Sequence, residues 1–270
     1  VTVSAIRLET KSVEKPWGRT DLPAIFPHPA NEKIGEIWFE GPGDQHPPLL
    51  VKYIFTSEKL SIQVHPNDQQ AHDRGLPGGK SECWYVLDAE PNATLGIGLT
   101  EEVSGSALRA AALDGSIEKL IDWKPVERGT FYYIPAGTVH AIGAGITLIE
   151  VQLNNDVTYR LYDYGRPREL HLEAGIAVSK PEPYARPSVV LPLNEAATLL
   201  DKASAPFSLE MVTWDAGQVP DLPNGTSWFI PLSGSGAVGT QSYRSGECWL
   251  AQDGFTINVQ EKTCAFLARM

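Results

Sequence analysis

A mainly β fold of the barrel or sandwich kind is predicted by three observations. Glycine and proline are plentiful, at 24 and 21 of 270 residues. Turn signals recur at short intervals: Gly41-Pro42-Gly43, Pro77-Gly78-Gly79, Gly143-Ala144-Gly145, Pro223-Asn224-Gly225 and Gly234-Ser235-Gly236. Between them lie runs of strand length and strand composition, at 35–39, 49–55, 60–64, 82–87, 130–134, 147–153 and 158–162. Many short strands joined by Gly- and Pro-rich turns are the signature of a barrel or sandwich.

The order of elements follows from the same signals. Residues 101–122 break the strand pattern: Leu108, Ala111, Ala112, Leu113, Ile117, Leu120 and Ile121 recur at helical spacing, and Gly115 divides them into two short helices. A further short helix is predicted over 170–178. Pro181, Pro183, Pro187 and Pro192 mark 181–193 as a linker. Strands resume at 208–213, 227–231, 248–251, 255–259 and 263–267. The expected organisation is a domain over 1–180, the linker, and a second domain over 194–270. A weak repeat supports it: residues 128–137 and 244–254 both read as a turn glycine, a short apolar strand and a second turn.

Bulk properties exclude several function classes. No run of about 18 apolar residues exists, so a membrane span is not expected. Val1-Thr2-Val3-Ser4-Ala5-Ile6-Arg7 lacks a basic segment followed by an apolar core, so no secretory signal is visible. The net charge of −11 makes the chain a poor nucleic-acid binder. Three scattered cysteines, Cys83, Cys248 and Cys264, fit reduced thiols in a cytoplasmic protein.

Three segments carry chemistry. They are Ser61-Ile62-Gln63-Val64-His65-Pro66, Gly79-Lys80-Ser81-Glu82-Cys83-Trp84-Tyr85, and the stretch from 129 to 140 that ends Pro135-Ala136-Gly137-Thr138-Val139-His140. Gln63 and His65, two apart on a strand, face the same side. Glu82 opens the next strand, and His140 follows a turn. A barrel can bring all four together. Two imidazoles, one carboxylate and one amide oxygen suit a divalent borderline metal, most naturally a single Zn2+, with room for water or substrate.

Residues 129–140 resemble the second metal motif of the cupin superfamily, although the asparagine usual after the histidine is missing. Lys15-Pro16-Trp17-Gly18, Gly35-Glu36-Ile37-Trp38-Phe39, Leu60-Ser61-Ile62-Gln63-Val64-His65-Pro66-Asn67-Asp68 and Thr158-Tyr159-Arg160-Leu161-Tyr162-Asp163-Tyr164-Gly165-Arg166 narrow the resemblance. Together they resemble the type I phosphomannose isomerases (mannose-6-phosphate isomerases) in their short bacterial form, over about residues 14 to 180. The resemblance implies a bicupin: two jelly-roll-like barrels, with a short helical insertion near 101–122 and no metal in the second barrel. It implies zinc on Gln63, His65, Glu82 and His140, and interconversion of mannose 6-phosphate and fructose 6-phosphate. It also matches Arg160 to an active-site arginine, Lys80 to an active-site lysine and Glu150 to an acidic pocket residue.

These residue types suit the reaction. Moving a proton between C1 and C2 through an enediol requires a base, a proton carrier and positive charge for the enediolate. Arg160 offers permanent charge, for the enediolate or for a phosphate. Lys80 is a proton carrier. Glu150, in an apolar run, is either a base or half of an ion pair, with Lys52 as the expected partner. Trp17, Trp38 and Trp84 are either pocket walls or core. Two alternatives remain open at this stage: another metal-dependent cupin enzyme, such as an iron oxygenase, and a sugar-phosphate-binding cupin without turnover.

Overall fold

The computed structural model describes residues 5–43, 45–222, 224–251 and 255–270. Pro223 of one predicted turn, residues 252–254 of the predicted repeat, and Val1 to Ser4 of the N-terminal reading lie outside them. Strands make up 44% of the chain and helices 10%, so the fold is mainly β and fits the bicupin description.

Five layers follow one another. Short helices cover a five-stranded sheet, built of Tyr159–Tyr162, Ile62–Val64, His140–Ile142, Thr94–Leu99 and Ile121–Pro125 in that order. Next comes a seven-stranded sheet, ordered Val189–Val190, Thr130–Ile134, Glu82–Ala89, Ile146–Leu153, Leu49–Phe55, Ile34–Glu40 and Glu9–Arg19. A six-stranded sheet and a three-stranded sheet complete the stack.

Each interlayer space is a separate apolar cluster. Ile54, Trp84, Val86, Leu148 and Ile134 of the seven-stranded sheet meet Leu95, Ile97 and Ile142 of the five-stranded one. On its other face, Val51, Tyr53, Tyr85 and Ile149 meet Met211, Trp228, Ile230 and Phe266 of the six-stranded sheet. Strand Leu49–Phe55 is therefore buried on both faces, which explains why it is apolar throughout except for Lys52.

The predicted helical region is two helices, Gly105–Asp114 and Ile117–Leu120. The first begins later than the periodicity suggested because the Ser104 hydroxyl accepts from the Ala107 N–H at 3.1 Å. It ends at Gly115, whose φ is 81°. The third predicted helix is Leu172–Val178. Within the predicted linker, Val189 and Val190 pair with Phe131 and Thr130. Ala5–Arg7 pairs with Trp249–Ala251, so the beginning of the described chain is a strand of the C-terminal six-stranded sheet. All three cysteines are free and buried, and burial pushes each thiol upward, Cys264 to about 11.

Candidate functional site

Register decides which side chains share the pocket. In the five-stranded sheet Gln63 pairs with His140 on one side and Arg160 on the other, so the three lie in one row. In the seven-stranded sheet Trp38, Lys52, Glu150, Trp84 and Tyr132 are successive partners across five strands. The next row reads Leu50, Gln152, Glu82 and Ile134. Directly paired residues point to the same face. Gln63, His140 and Glu82 thus come from rows on two sheets, and His65 follows the end of strand Ile62–Val64.

Two glycines allow the loops to close around His65. A side chain at Gly79 would meet the backbone of Asn67 at 2.4 Å and of Pro66 at 2.6 Å. Lys80 N–H then donates to the Pro66 carbonyl at 3.0 Å. Gly137, at φ 90°, donates to the His65 carbonyl at 2.8 Å.

His65, Glu82 and His140 are buried together, with their ligand atoms all within 4.8 Å of one another. His65 Nε2 lies 3.4 Å from Glu82 Oε2, and His140 Nε2 lies 3.4 Å from Glu82 Oε1. Ligands about 2.1 Å from a tetrahedral ion are themselves about 3.4 Å apart. Each Nδ1 is 2.8 Å from a carbonyl oxygen, Val157 for His65 and Thr138 for His140, to which it donates as N–H. Both Nε2 atoms therefore carry lone pairs toward the carboxylate, as in metal-bound histidine. His65 Nε2 and both Glu82 oxygens are buried without a hydrogen bond among the described residues. Lone pairs facing an anion inside a protein repel unless a cation lies between them. The donors fit a divalent ion.

Electrostatics agree. Burial, with Lys80 next in weight, pushes the His65 imidazole down to about 3. Burial also lowers His140. Both rings are neutral and able to ligate at neutral pH. Burial acts to raise the Glu82 carboxyl, but the neighbouring charges, the Lys80 ammonium foremost, outweigh it and hold it well below the usual range. Gln63 closes a fourth side, with its amide nitrogen 3.3 Å from His140 Nε2. The two ends of an amide are assigned from hydrogen bonding alone, and the flipped rotamer turns Oε1 to the same place.

Of the four metal residues Gln63 lines a cavity of about 290 Å³, and the buried cluster adjoins it through Lys80, which lines the cavity and lies 3.1 Å from Glu82. Gln63, Lys80, Glu150 and Arg160 all line it, so every predicted catalytic side chain reaches one space. Lys80 Nζ is 3.1 Å from Glu82 Oε2. The Arg160 Nη1 donates to the Glu169 carbonyl at 2.8 Å, while its Nε is buried without a partner. Glu150 has both oxygens engaged: Oε1 faces Lys52 Nζ at 3.0 Å, and Oε2 accepts from the Trp84 indole at 3.0 Å. The expected ion pair with Lys52 is present, and it leaves little of Glu150 to accept a substrate proton. Trp17 and Trp38 line the cavity; Trp84 is buried behind it.

Glu36, Gln152 and Arg168 also line the cavity and were not singled out from the sequence. Gln152 accepts from Lys52 at 2.6 Å, and Lys15 lies 3.5 Å from Glu36. Burial acts to raise Glu36, but Lys52 and Lys15 together lower it. Period-two spacing was the available signal: Glu36 with Trp38, and Glu150 with Gln152, share faces of their strands.

No family model matches the chain. Mannose-6-phosphate isomerase ManA of Bacillus subtilis (strain 168) is 43% identical over 144 residues, 50% of this chain and 45% of that protein. Putative mannose-6-phosphate isomerase YvyI of the same strain is 38% identical over 217 residues, 65% of this chain and 68% of that protein. The crystal structure of the mannose 6-phosphate isomerase from Bacillus subtilis matches with a TM-score of 0.76 at 27% identity, covering 99% of this chain and 100% of that one. The chain spans about half the length of ManA in the first of these matches.

Proposed function

The chain belongs to the mannose-6-phosphate isomerase family, and on that premise we propose that it is a zinc-dependent isomerase of mannose 6-phosphate and fructose 6-phosphate. One observation carries the metal half: His65 Nε2 and both Glu82 oxygens are buried without hydrogen bonds among the described residues, with His65 Nε2 3.4 Å from one oxygen and His140 Nε2 3.4 Å from the other. Gln63, His65, Glu82 and His140 would hold the zinc. When bound, the ion supplies Lewis-acid polarisation of a sugar oxygen.

The chain's own residues supply the rest. Lys80 lines the pocket beside Glu82, and we assign it the proton transfers between the two carbons and their oxygens. Arg160, in the row of Gln63, places fixed positive charge where the enediolate forms. Glu150 holds Lys52 and Trp84 in place and so shapes the wall; acting as the base would require it to release one of them. Trp17 and Trp38 offer flat apolar surface to the sugar ring.

The division of labour we propose gives this site to residues 1–180 and makes residues 194–270 a metal-free companion, joined by 181–193. Six- and seven-stranded sheets sharing one apolar cluster support a companion that covers the sheet behind the site. We also place the enzyme in the cytoplasm, where three buried free thiols are stable. Among the described residues no helix is long and apolar enough to cross a membrane.

Reaction of the chain with mannose 6-phosphate in heavy water tests this. The expected product is fructose 6-phosphate carrying deuterium at the migrating position. Complete retention of the substrate hydrogen would rule out exchangeable proton transfer on Lys80. Absence of product from zinc-loaded chain would rule out the isomerase.

A further inference from the structure

The pocket's cations are of two kinds. Each of its lysines faces a carboxylate: Lys15 and Glu36 at 3.5 Å, Lys52 and Glu150 at 3.0 Å, Lys80 and Glu82 at 3.1 Å. These pairs are close to neutral. The two arginines that line the same space differ: Arg160 faces no carboxylate among the described residues, whereas Arg168 is held by Asp163, and Arg166 beside it also faces Glu58 at 3.5 Å. Arg160 makes its side-chain hydrogen bond to a neutral carbonyl. Arg168 shares one carboxylate, Asp163, with Arg166.

Asp163 is a constructed support. Its side chain is 1% exposed and accepts from Arg168 Nε at 2.6 Å and from Arg168 Nη2 at 2.7 Å. Arg166 Nη1 adds a third bond at 3.2 Å. The chain reaches this geometry through a tight reversal, in which Tyr164 and Gly165 take φ of 53° and 78° and Arg166 N–H donates to the Asp163 carbonyl at 3.0 Å. A tyrosine in the left-handed region is uncommon and persists only where its surroundings hold it. The bidentate clamp fixes the plane of the Arg168 guanidinium along one edge. The clamp uses Nε and Nη2, and Arg168 lines the pocket.

We infer that Arg168, clamped by Asp163, grips the phosphate of the substrate, which leaves Arg160 to the reacting end of the sugar. The assignment rests on the proposed function, and it divides two roles that the sequence left together on Arg160. Arg160 is register-paired with Gln63 and so sits at the metal end, whereas Arg168 lies beyond the turn at the end of that strand. Both guanidinium groups line the same cavity. On a chain of net charge −11, positive groups gathered at the pocket are also what draws an anion in. Asp163 is a positioning residue in this arrangement.

The test uses the full, zinc-loaded chain with R168Q, R168K and D163N. Mannose 6-phosphate kinetics are measured with inorganic phosphate as competitor, alongside metal content and melting temperature. R168Q is expected to raise KM and the phosphate inhibition constant together by about 10- to 100-fold, with a smaller loss in kcat. R168K, which keeps charge without the fork, falls between. D163N moves the same two constants while retaining zinc. An R168Q variant whose KM and phosphate inhibition stay within about twofold of the parent overturns the assignment. Calorimetric binding of inorganic phosphate separates this from failure of the isomerase reading. A parent chain without turnover that binds phosphate through Arg168 overturns only the isomerase, and equal binding by parent and R168Q overturns the grip.

Discussion

Glu82→Gln is expected to lose bound zinc and isomerase activity together while remaining folded. Glu82 is fully buried, and apart from the Lys80 ammonium 3.1 Å from Oε2 its oxygens meet no partner among the described residues but the two imidazoles. It is the one anion in direct reach of both imidazole Nε2 atoms, at 3.4 Å each. Glutamine has the same shape, and its NH2 can donate to an imidazole lone pair that in the parent has only a carboxylate to face. The variant therefore satisfies the ring nitrogens without a cation. Its affinity for zinc falls by more than the roughly 10- to 100-fold that loss of an outer-shell partner costs. Metal analysis after dialysis, melting temperature and turnover are the three readouts. Tight zinc and parental turnover in Glu82→Gln would remove Glu82 from the ligand set.

Arg160→Ala is expected to separate what Glu82→Gln joins. Arg160 touches none of the three clustered metal residues by hydrogen bond; its side chain donates to the Glu169 carbonyl. Zinc content therefore stays at the parental level. The guanidinium is nonetheless half-buried in the row of Gln63 and His140, where negative charge grows on the substrate. Removing a donor aimed at such an oxyanion costs about 100- to 1000-fold in kcat. Loss of that size in kcat with zinc retained is the expected result of steady-state kinetics and metal analysis. Parental kcat would exclude Arg160 from the reaction. A rise in KM alone would move it to the phosphate end and displace Arg168 from that role.

The parts of this site that were legible in the sequence are the local ones. Gln63 and His65 were brought together by their spacing of two, although the strand ends at Val64 and His65 follows it directly, and the turn before His140 announces itself by Pro135 and Gly137. The strand Leu49–Phe55 was legible because it is apolar on both faces. What could not be read is non-local. Trp38, Lys52, Glu150 and Trp84 meet only through the register of four strands, and no spacing within one strand encodes that. The Lys52–Glu150 pair was expected from two buried charges in apolar runs, but the Trp84 indole on the second Glu150 oxygen was not. Strand Glu9–Arg19 is an edge strand with mostly exposed or half-exposed side chains and an internal proline, so it lacks the apolar alternation by which strands are recognised. Arg168 was invisible for a related reason. Its position depends on a turn with a tyrosine at positive φ, where a glycine or asparagine would have been the expected signal.

The most direct measurement is mannose 6-phosphate isomerisation by three preparations of the same protein: as purified, stripped with a chelator, and restored with one equivalent of zinc. Activity that disappears with the metal and returns with zinc is the expected result, and it joins the buried His65, Glu82 and His140 cluster to the reaction. Full turnover in a preparation free of metal would contradict it.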